Sequence, residues 1–327
     1  MKPIDELAYL RVVPVKQAVE DALIDLPGVT GVGVGWKQVG GVETDVMAIR
    51  VFVRSKGTYD PANEIPGEVE GVPTDVIECE FLPEVTHRSL PDDDTKRYDP
   101  VVGGGSCAPA RETYAGTLGV LVRDNATSQL RFLSNWHVLC GDPSWSSPGV
   151  DRRITQPAIM DGGKAQTDVI GNVVAGIIGQ VVIPFGYDLY VDCALCDLSG
   201  ARAANSSINR VGTLTGVETP VVGDLVRKYG RSTGFTYGVV QDTNFTISVY
   251  FPSLGYVRMY YQYCITAPAP GMPPFTQPGD SGAVVVDNEN RAIALHCAGG
   301  TSGTVAYSVC NPMYMVLKAL NVSLVTS

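Results

Sequence analysis

Gln277-Pro278-Gly279-Asp280-Ser281-Gly282 runs directly into Ala283-Val284-Val285-Val286. The apolar, β-branched run reads as a buried strand entered from a tight turn. A serine held between glycines in such a turn projects its hydroxyl into a cleft. The backbone N–H groups of Gly279 and Ser281 can converge on one point beside it, so one turn supplies a nucleophile and an oxyanion hole. Gly279 suits the turn because a side chain there would hinder both the backbone and an approaching substrate. An ordinary β-turn has the same composition. The hexapeptide alone leaves both readings open.

Composition narrows the classes. A chain of 327 residues can bury two or three cores, and 36 glycines, 22 prolines and sparse charge suit a β-rich protein with many turns. A net charge of −10 without a basic cluster argues against a nucleic-acid surface. No apolar run approaches the length of a membrane span. Met1 to Leu7 lacks the apolar core and small-residue cleavage site of a signal peptide. Eight cysteines in so long a chain form no dense disulfide framework, so reduced thiols in the cytoplasm are the expectation. Cys193-x-x-Cys196 lies within a strand pattern and has no second ligand pair, which favours core cysteines over metal or redox chemistry. No metal and no cofactor is expected.

Val15, Ala18, Val19, Ala22, Leu23 and Leu26 fall at helical spacing, and Pro27-Gly28 stops the helix. Val32, Val34 and Trp36 share one face of a strand, Gly40-Gly41 turns, and Met47, Ile49, Val51 and Val53 alternate in a second. Thr74 to Phe81 reads as a third. Residues 1–81 thus form a small α+β domain. Gly31-x-Gly33-x-Gly35 lacks the third glycine of a nucleotide-binding turn and sits inside a strand, so it reads as close backbone packing. Residues 82–109, rich in proline, aspartate and glycine, read as a linker, with His87 a solvated loop residue.

From Thr117 the pattern is all-β. Strands are expected at 117–123, 129–133, 168–174, 179–183 and 189–195, with a second set between Gly223 and Val309. They divide into two barrels or sandwiches, residues 110–205 and 206–327. Asn311 reads as a helix cap ahead of Pro312, with Met313, Val316, Leu317 and Leu320 as the docked stripe of a C-terminal helix.

An activated serine needs a general base, and the chain holds three histidines. His137 ends the apolar stretch Phe132 to Leu139. The base in turn needs a buried carboxylate, and Asp192 is a lone charge in the apolar strand Leu189 to Leu195, where it requires a partner.

Ser134-Asn135-Trp136-His137-Val138, Asp192-Cys193-Ala194-Leu195 and Gly279-Asp280-Ser281-Gly282, in that order, resemble the histidine, aspartate and serine motifs of the chymotrypsin/trypsin-like serine proteases. Val226 to Gly234 with Tyr237 to Val240 is similar to the second barrel of bacterial trypsin-like peptidases. The resemblance covers about residues 106–327. It implies two six-stranded antiparallel barrels with the triad between them. Ser281 would attack a peptide carbonyl, His137 would take and return the proton, and Asp192 would orient His137. Val138 and Gln277 stand where secreted relatives carry disulfide cysteines, so those disulfides are not reproduced. Val101-Val102-Gly103-Gly104 resembles a trypsin activation site, although such runs are common.

The resemblance also bears on specificity. Phe275 stands where a trypsin has aspartate, so a Lys or Arg preference is not implied. Ala292 to Gly300 is similar to the pocket strand of glutamyl endopeptidases, with His296 at their histidine position. His296 and Thr276 would then hydrogen-bond a glutamate carboxylate or a glutamine amide. A satisfied core histidine is the other reading of His296. Cys297, Ala298 and Gly299 would pair with the substrate backbone as an added strand. The implied partners are a protein or peptide substrate and a regulatory partner or homo-oligomer acting through residues 1–81. A catalytically silent two-barrel binding scaffold is the alternative.

Overall fold

The β-branched run after Ser281 forms the short core strand Val284–Val286, one stave of a closed barrel. The computed structural model describes residues 5–40, 42–57, 64–184, 186–200 and 202–326. Around this barrel the antiparallel order is Leu225–Gly230, Val284–Val286, Arg291–Ser302, Val305–Pro312, Gly255–Thr266 and Gly234–Phe251. The last strand pairs back with the first. Six strands therefore close without an open edge.

A second ring precedes it in the chain. Ser106–Pro109, Arg153–Thr155, Val169–Val181, Leu189–Cys196, Leu130–Ser134 and Leu121–Asp124 follow one another. The ring closes because Gly116–Thr117, separated from Leu121 by three residues, pairs with Ser106–Pro109, and the Gly119 N–H between them donates to Leu133 O at 2.9 Å. The fold is a mainly β double barrel. Two strands expected at 168–174 and 179–183 are one, Val169–Val181, because Gly176 and Gly179 continue the pairing with Leu189–Cys196 rather than break it.

Residues 82–109 depart from the linker expectation. Ser106–Pro109 is a barrel strand, Val101–Gly103 pairs parallel with Ala204–Ile208, and Leu82–Pro83 pairs with Arg291–Ser302. Each paired piece is only two to four residues long. Proline and glycine between such short pieces give the stretch the composition of a tether. Exposed His87 lies with its ring edge-on to Tyr114, centroids 6.1 Å apart.

The N-terminal helix, Glu6–Ile24, starts where the Asp5 side chain accepts the Ala8 N–H at 3.2 Å. Its buried face differs from the apolar spacing: Ala18 and Ala22 are exposed, while Lys16 and Glu20 point inward beside Tyr9, Val12 and Leu23. Lys16 pairs with Glu20 and donates to Asn244 O at 2.6 Å and Thr246 Oγ1 at 2.9 Å. Such partners are what a buried ammonium requires. The helix covers strands Val29–Val39 and Val42–Val53, with Val72–Glu78 parallel to the latter. Gly41 of the expected turn lies outside the described residues.

The glycines of Val29–Val39 are close contacts. A Cβ on Gly31 would lie 2.8 Å from Phe245, and one on Gly33 would lie 2.5 Å from Asp242 Oδ2. Both neighbours belong to the long barrel strand Gly234–Phe251, and Gly31 and Val32 pair with Ile247 and Thr246 of it. The N-terminal sheet and the second barrel are consequently one continuous 12-stranded sheet.

The C-terminal helix, Met313–Leu320, buries Met313, Met315 and Val316 in a core shared by Leu133 and Leu195 of the first barrel and Val284 and Leu295 of the second. Asn311 is not its cap. The N-cap position is Pro312, and Asn311 is buried in hydrogen bonds at the barrel interface. All eight cysteines are unpaired and buried. Burial raises the Cys193 and Cys196 thiols well above their usual range. Among the described residues no helix is long and apolar enough to cross a membrane, and no cluster of metal-ligating side chains occurs.

Candidate active site

Strand Leu130–Ser134 ends in Asn135, and the next residues wind into the short helix Trp136–Leu139 that carries His137. The antiparallel register sets Leu133 against Leu195 and Ser134 against Ala194, which brings Asp192 alongside the helix start. Asn135 Nδ2 donates to Asp192 O at 2.7 Å. The fully buried Asp192 carboxylate accepts the His137 backbone N–H at 3.1 Å, and its other oxygen bonds His137 Nδ1. With Nδ1 engaged by the carboxylate, Nε2 is the ring nitrogen left for other contacts. Nε2 is buried without a hydrogen-bond partner. Across the barrels, Asn311 Oδ1 accepts the Asp192 N–H at 2.9 Å while its Nδ2 donates to Gln262 Oε1 at 2.6 Å.

Strand Gly116–Thr117 joins this half to the serine turn. Thr117 N–H donates to Ser281 O at 2.8 Å, Thr117 O accepts Ser134 Oγ at 2.7 Å, and Thr117 Oγ1 donates to Gly279 O at 2.8 Å. The turn itself is shaped by Asp280. Its buried carboxylate accepts the Ser232 N–H at 2.9 Å, the Gln277 N–H at 3.1 Å and the Thr233 hydroxyl at 2.6 Å, and lies 3.2 Å from the equally buried Lys228 Nζ. Burial works against ionisation of Asp280, but Lys228 and the donors outweigh it, and its pKa falls below the usual carboxylate value. Val101-Val102-Gly103-Gly104 is not part of this turn: Val101–Gly103 is in the strand paired with Ala204–Ile208.

The cleft is occupied by the chain itself. Leu82 and Pro83 pair antiparallel with Gly299 and Ala298, and Thr86 exchanges two 2.9 Å hydrogen bonds with Ala115. Between them, Glu84 O accepts the Gly279 N–H at 2.5 Å and the Ser281 N–H at 3.4 Å. Gly279 has φ of +107°, and a Cβ on it would lie 2.1 Å from Ser232 Oγ. Ser281 Oγ accepts the Glu84 N–H at 3.1 Å and donates to Cys297 O at 3.1 Å.

The Glu84 side chain enters the pocket named in the sequence. Its Oε2 lies 2.6 Å from His296 Nε2, and His296 Nδ1 lies 3.6 Å from Cys310 Sγ. A Cβ on Gly299 would stand 2.3 Å from Glu84 Oε1. Thr276 is one step removed: its hydroxyl lies 2.5 Å from Ser308 Oγ, and Ser308 pairs with Gly299. Phe275 is packed into the second barrel's core, with Lys228 Nζ 5.8 Å from its ring centroid. His296 and Gly299 therefore meet the Glu84 side chain, Ala298 pairs with Pro83, Cys297 O accepts the Ser281 hydroxyl, and Phe275 serves as core. The sequence did not single out Glu84, Asn135, Lys228 or Asn311's contact with Asp192.

No family model and no curated protein matches this sequence. Among solved structures, the chain is similar to a glutamic acid-specific serine protease described as using a novel histidine triad in substrate binding. The two are 18% identical over 69% of this chain and 100% of the other, with a TM-score of 0.47. It is similar to Thermobifida fusca protease A at 20% identity, covering 69% of this chain and 99% of that one, TM-score 0.46. It is likewise similar to Cellulomonas bogoriensis chymotrypsin at 19% identity, with the same coverage of 69% and 99% and a TM-score of 0.46.

Proposed function

We propose that the chain is a serine endopeptidase in which Ser281 is the nucleophile, His137 the general base and acid, and Asp192 the orienting carboxylate. The observation that carries this reading is the convergence of the Gly279 and Ser281 N–H groups on a peptide oxygen beside the Ser281 hydroxyl. These donors stabilise the oxyanion that forms when Ser281 Oγ adds to the carbonyl, an effect worth about 2.7–4 kcal/mol per donor. For attack, the Ser281 hydroxyl exchanges its bond to Cys297 O for His137 Nε2, whose lone pair has no other partner. The Nδ1 bond to Asp192 supports the imidazolium that results.

The preferred residue before the cut is glutamate. His296 beside the Glu84 carboxylate, and the space that Gly299 leaves for it, support this choice over lysine, arginine or large apolar residues. Residues 1–81 act as a regulatory element through their shared sheet with the second barrel. The eight free, buried thiols fit a reducing compartment such as the cytoplasm.

A fluorophosphonate probe together with a peptide library tests the assignment. The expected result is covalent modification of Ser281, lost in Ser281→Ala, with cleavage after glutamate. Absence of modification under any condition would favour the silent scaffold, and cleavage after lysine or large apolar residues would overturn the glutamate preference.

A further inference from the structure

Residues Leu82 to Thr86 cross the active site in the register of a substrate, with the Glu84–Val85 bond at the nucleophile. The backbone on the amino side of this bond adds as a strand to Ala298 and Gly299, and Thr86 on the carboxyl side pairs with Ala115. The carbonyl to be attacked has its oxygen between Gly279 N–H and Ser281 N–H, and the side chain of the same residue fills the pocket at His296. Backbone pairing, oxyanion donors and side-chain recognition agree on a single peptide bond. A loop resting in the cleft by chance would not satisfy all three.

We propose that the chain cleaves its own Glu84–Val85 bond and that, until residues 82–86 leave, they compete with other substrates for the cleft. The inference rests on the endopeptidase reading above. Ser281 Oγ bonds to the Glu84 carbonyl carbon, the C–N bond to Val85 breaks, and the Ser281 proton passes through His137 to the Val85 amine. One water then hydrolyses the ester, leaves Glu84 with a carboxylate and restores the Ser281 hydroxyl. Holding both partners in one molecule makes the step unimolecular, so it does not wait for encounter.

Both products are retained after the cut. On the amino side, Gly31 and Val32 keep their pairing with Ile247 and Thr246, and Leu82 and Pro83 keep theirs with the pocket strand. On the carboxyl side, buried Arg231 pairs with Asp93 at 2.8 Å and Asp161 at 2.6 Å, and its carbonyl accepts the Asp94 N–H at 2.7 Å. The new Glu84 carboxylate therefore remains against Gly279 and His296 as a bound product. Cleavage and opening of the cleft are separate events.

The test uses the full chain, as wild type, Ser281→Ala and Glu84→Lys. Intact-mass spectrometry under denaturing conditions is expected to find residues 1–84 and 85–327 as separate masses in the wild type. The two should co-elute on native size exclusion. Ser281→Ala should remain whole, alone and when mixed with wild type. Glu84→Lys should not be cut at this bond, and its Ser281 should react with a fluorophosphonate about ten-fold faster or more, as expected when an occupied site is emptied. A wild-type chain that stays whole while the probe labels Ser281 overturns the inference and leaves the endopeptidase standing. Cutting of the Ser281→Ala chain at Glu84–Val85 in the mixture also overturns it, because the reaction would then be intermolecular. Failure of the probe to modify Ser281 in Glu84→Lys, alongside an uncut wild type, sinks the endopeptidase reading as well.

Discussion

Asn311 of the second barrel accepts the backbone N–H of Asp192 of the first at 2.9 Å, so the carboxylate that meets His137 in one barrel is tied to the end of a strand in the other. On the proposed triad, Asn311 reaches no reacting atom, and its expected role is positioning. Asn311→Ala removes the acceptor for a buried N–H and leaves Gln262 Oε1 without the Asn311 donor. The expected result is a 10- to 100-fold fall in kcat with little change in KM, roughly the effect of an ångström-scale misplacement. An unchanged kcat in steady-state assays on a peptide with glutamate before the cut would remove Asn311 from this role.

Gly299 leaves the space that the Glu84 carboxylate fills. In Gly299→Ala the added carbon would stand 2.3 Å from Oε1, so the carboxylate cannot keep its place beside His296. A lost charge-assisted hydrogen bond of about 1.5–3 kcal/mol corresponds to roughly 10- to 100-fold in discrimination. Competition between peptides with glutamate and with alanine before the cut should show that drop, with turnover of the alanine peptide retained. Equal losses on both peptides would place the defect in the chemistry instead.

Asp280 and Asp161 give the fold an acid limit. At each, burial opposes ionisation, but Lys228 at Asp280 and Arg231 at Asp161, aided by hydrogen-bond donors, outweigh it and hold the carboxyl low. The unfolded chain therefore binds more protons as pH drops below about 4. Stability present above the ordinary aspartate pKa is lost as pH falls through the depressed folded values. Lys228→Met leaves Asp280 buried without its cation, at a cost of about 3–5 kcal/mol. Its acid-unfolding midpoint, followed by circular dichroism, should move to higher pH. A midpoint equal to that of the wild type would rule out Lys228 as the group that holds Asp280 ionised.

The Ser281 turn is legible because glycines, a serine and the following apolar run carry both turn and strand in ten adjacent residues. His137 and Asp192 stand out as a histidine and a lone charge in apolar stretches. Asn311 misled because Asn-Pro before an apolar stripe has the composition of a helix start, while its actual partners, Asp192 and Gln262, are distant in sequence. The burial of Lys16 and Glu20 has no local signal either, since it depends on Asn244 and Thr246. Glu84 carried no local signal at all. It is one acidic residue beside a proline, and only pairing with Ala298 and Gly299 puts it at Ser281.

The seat of Glu84 couples inheritance at distant codons. The residues that recognise a side chain in this cleft, His296 and Gly299, already hold one encoded in the same reading frame. A change that retunes what the pocket accepts also changes how tightly residue 84 is held. A new specificity can persist only with a compatible change at position 84, so pocket and tenant are expected to drift as a pair among descendants of this chain.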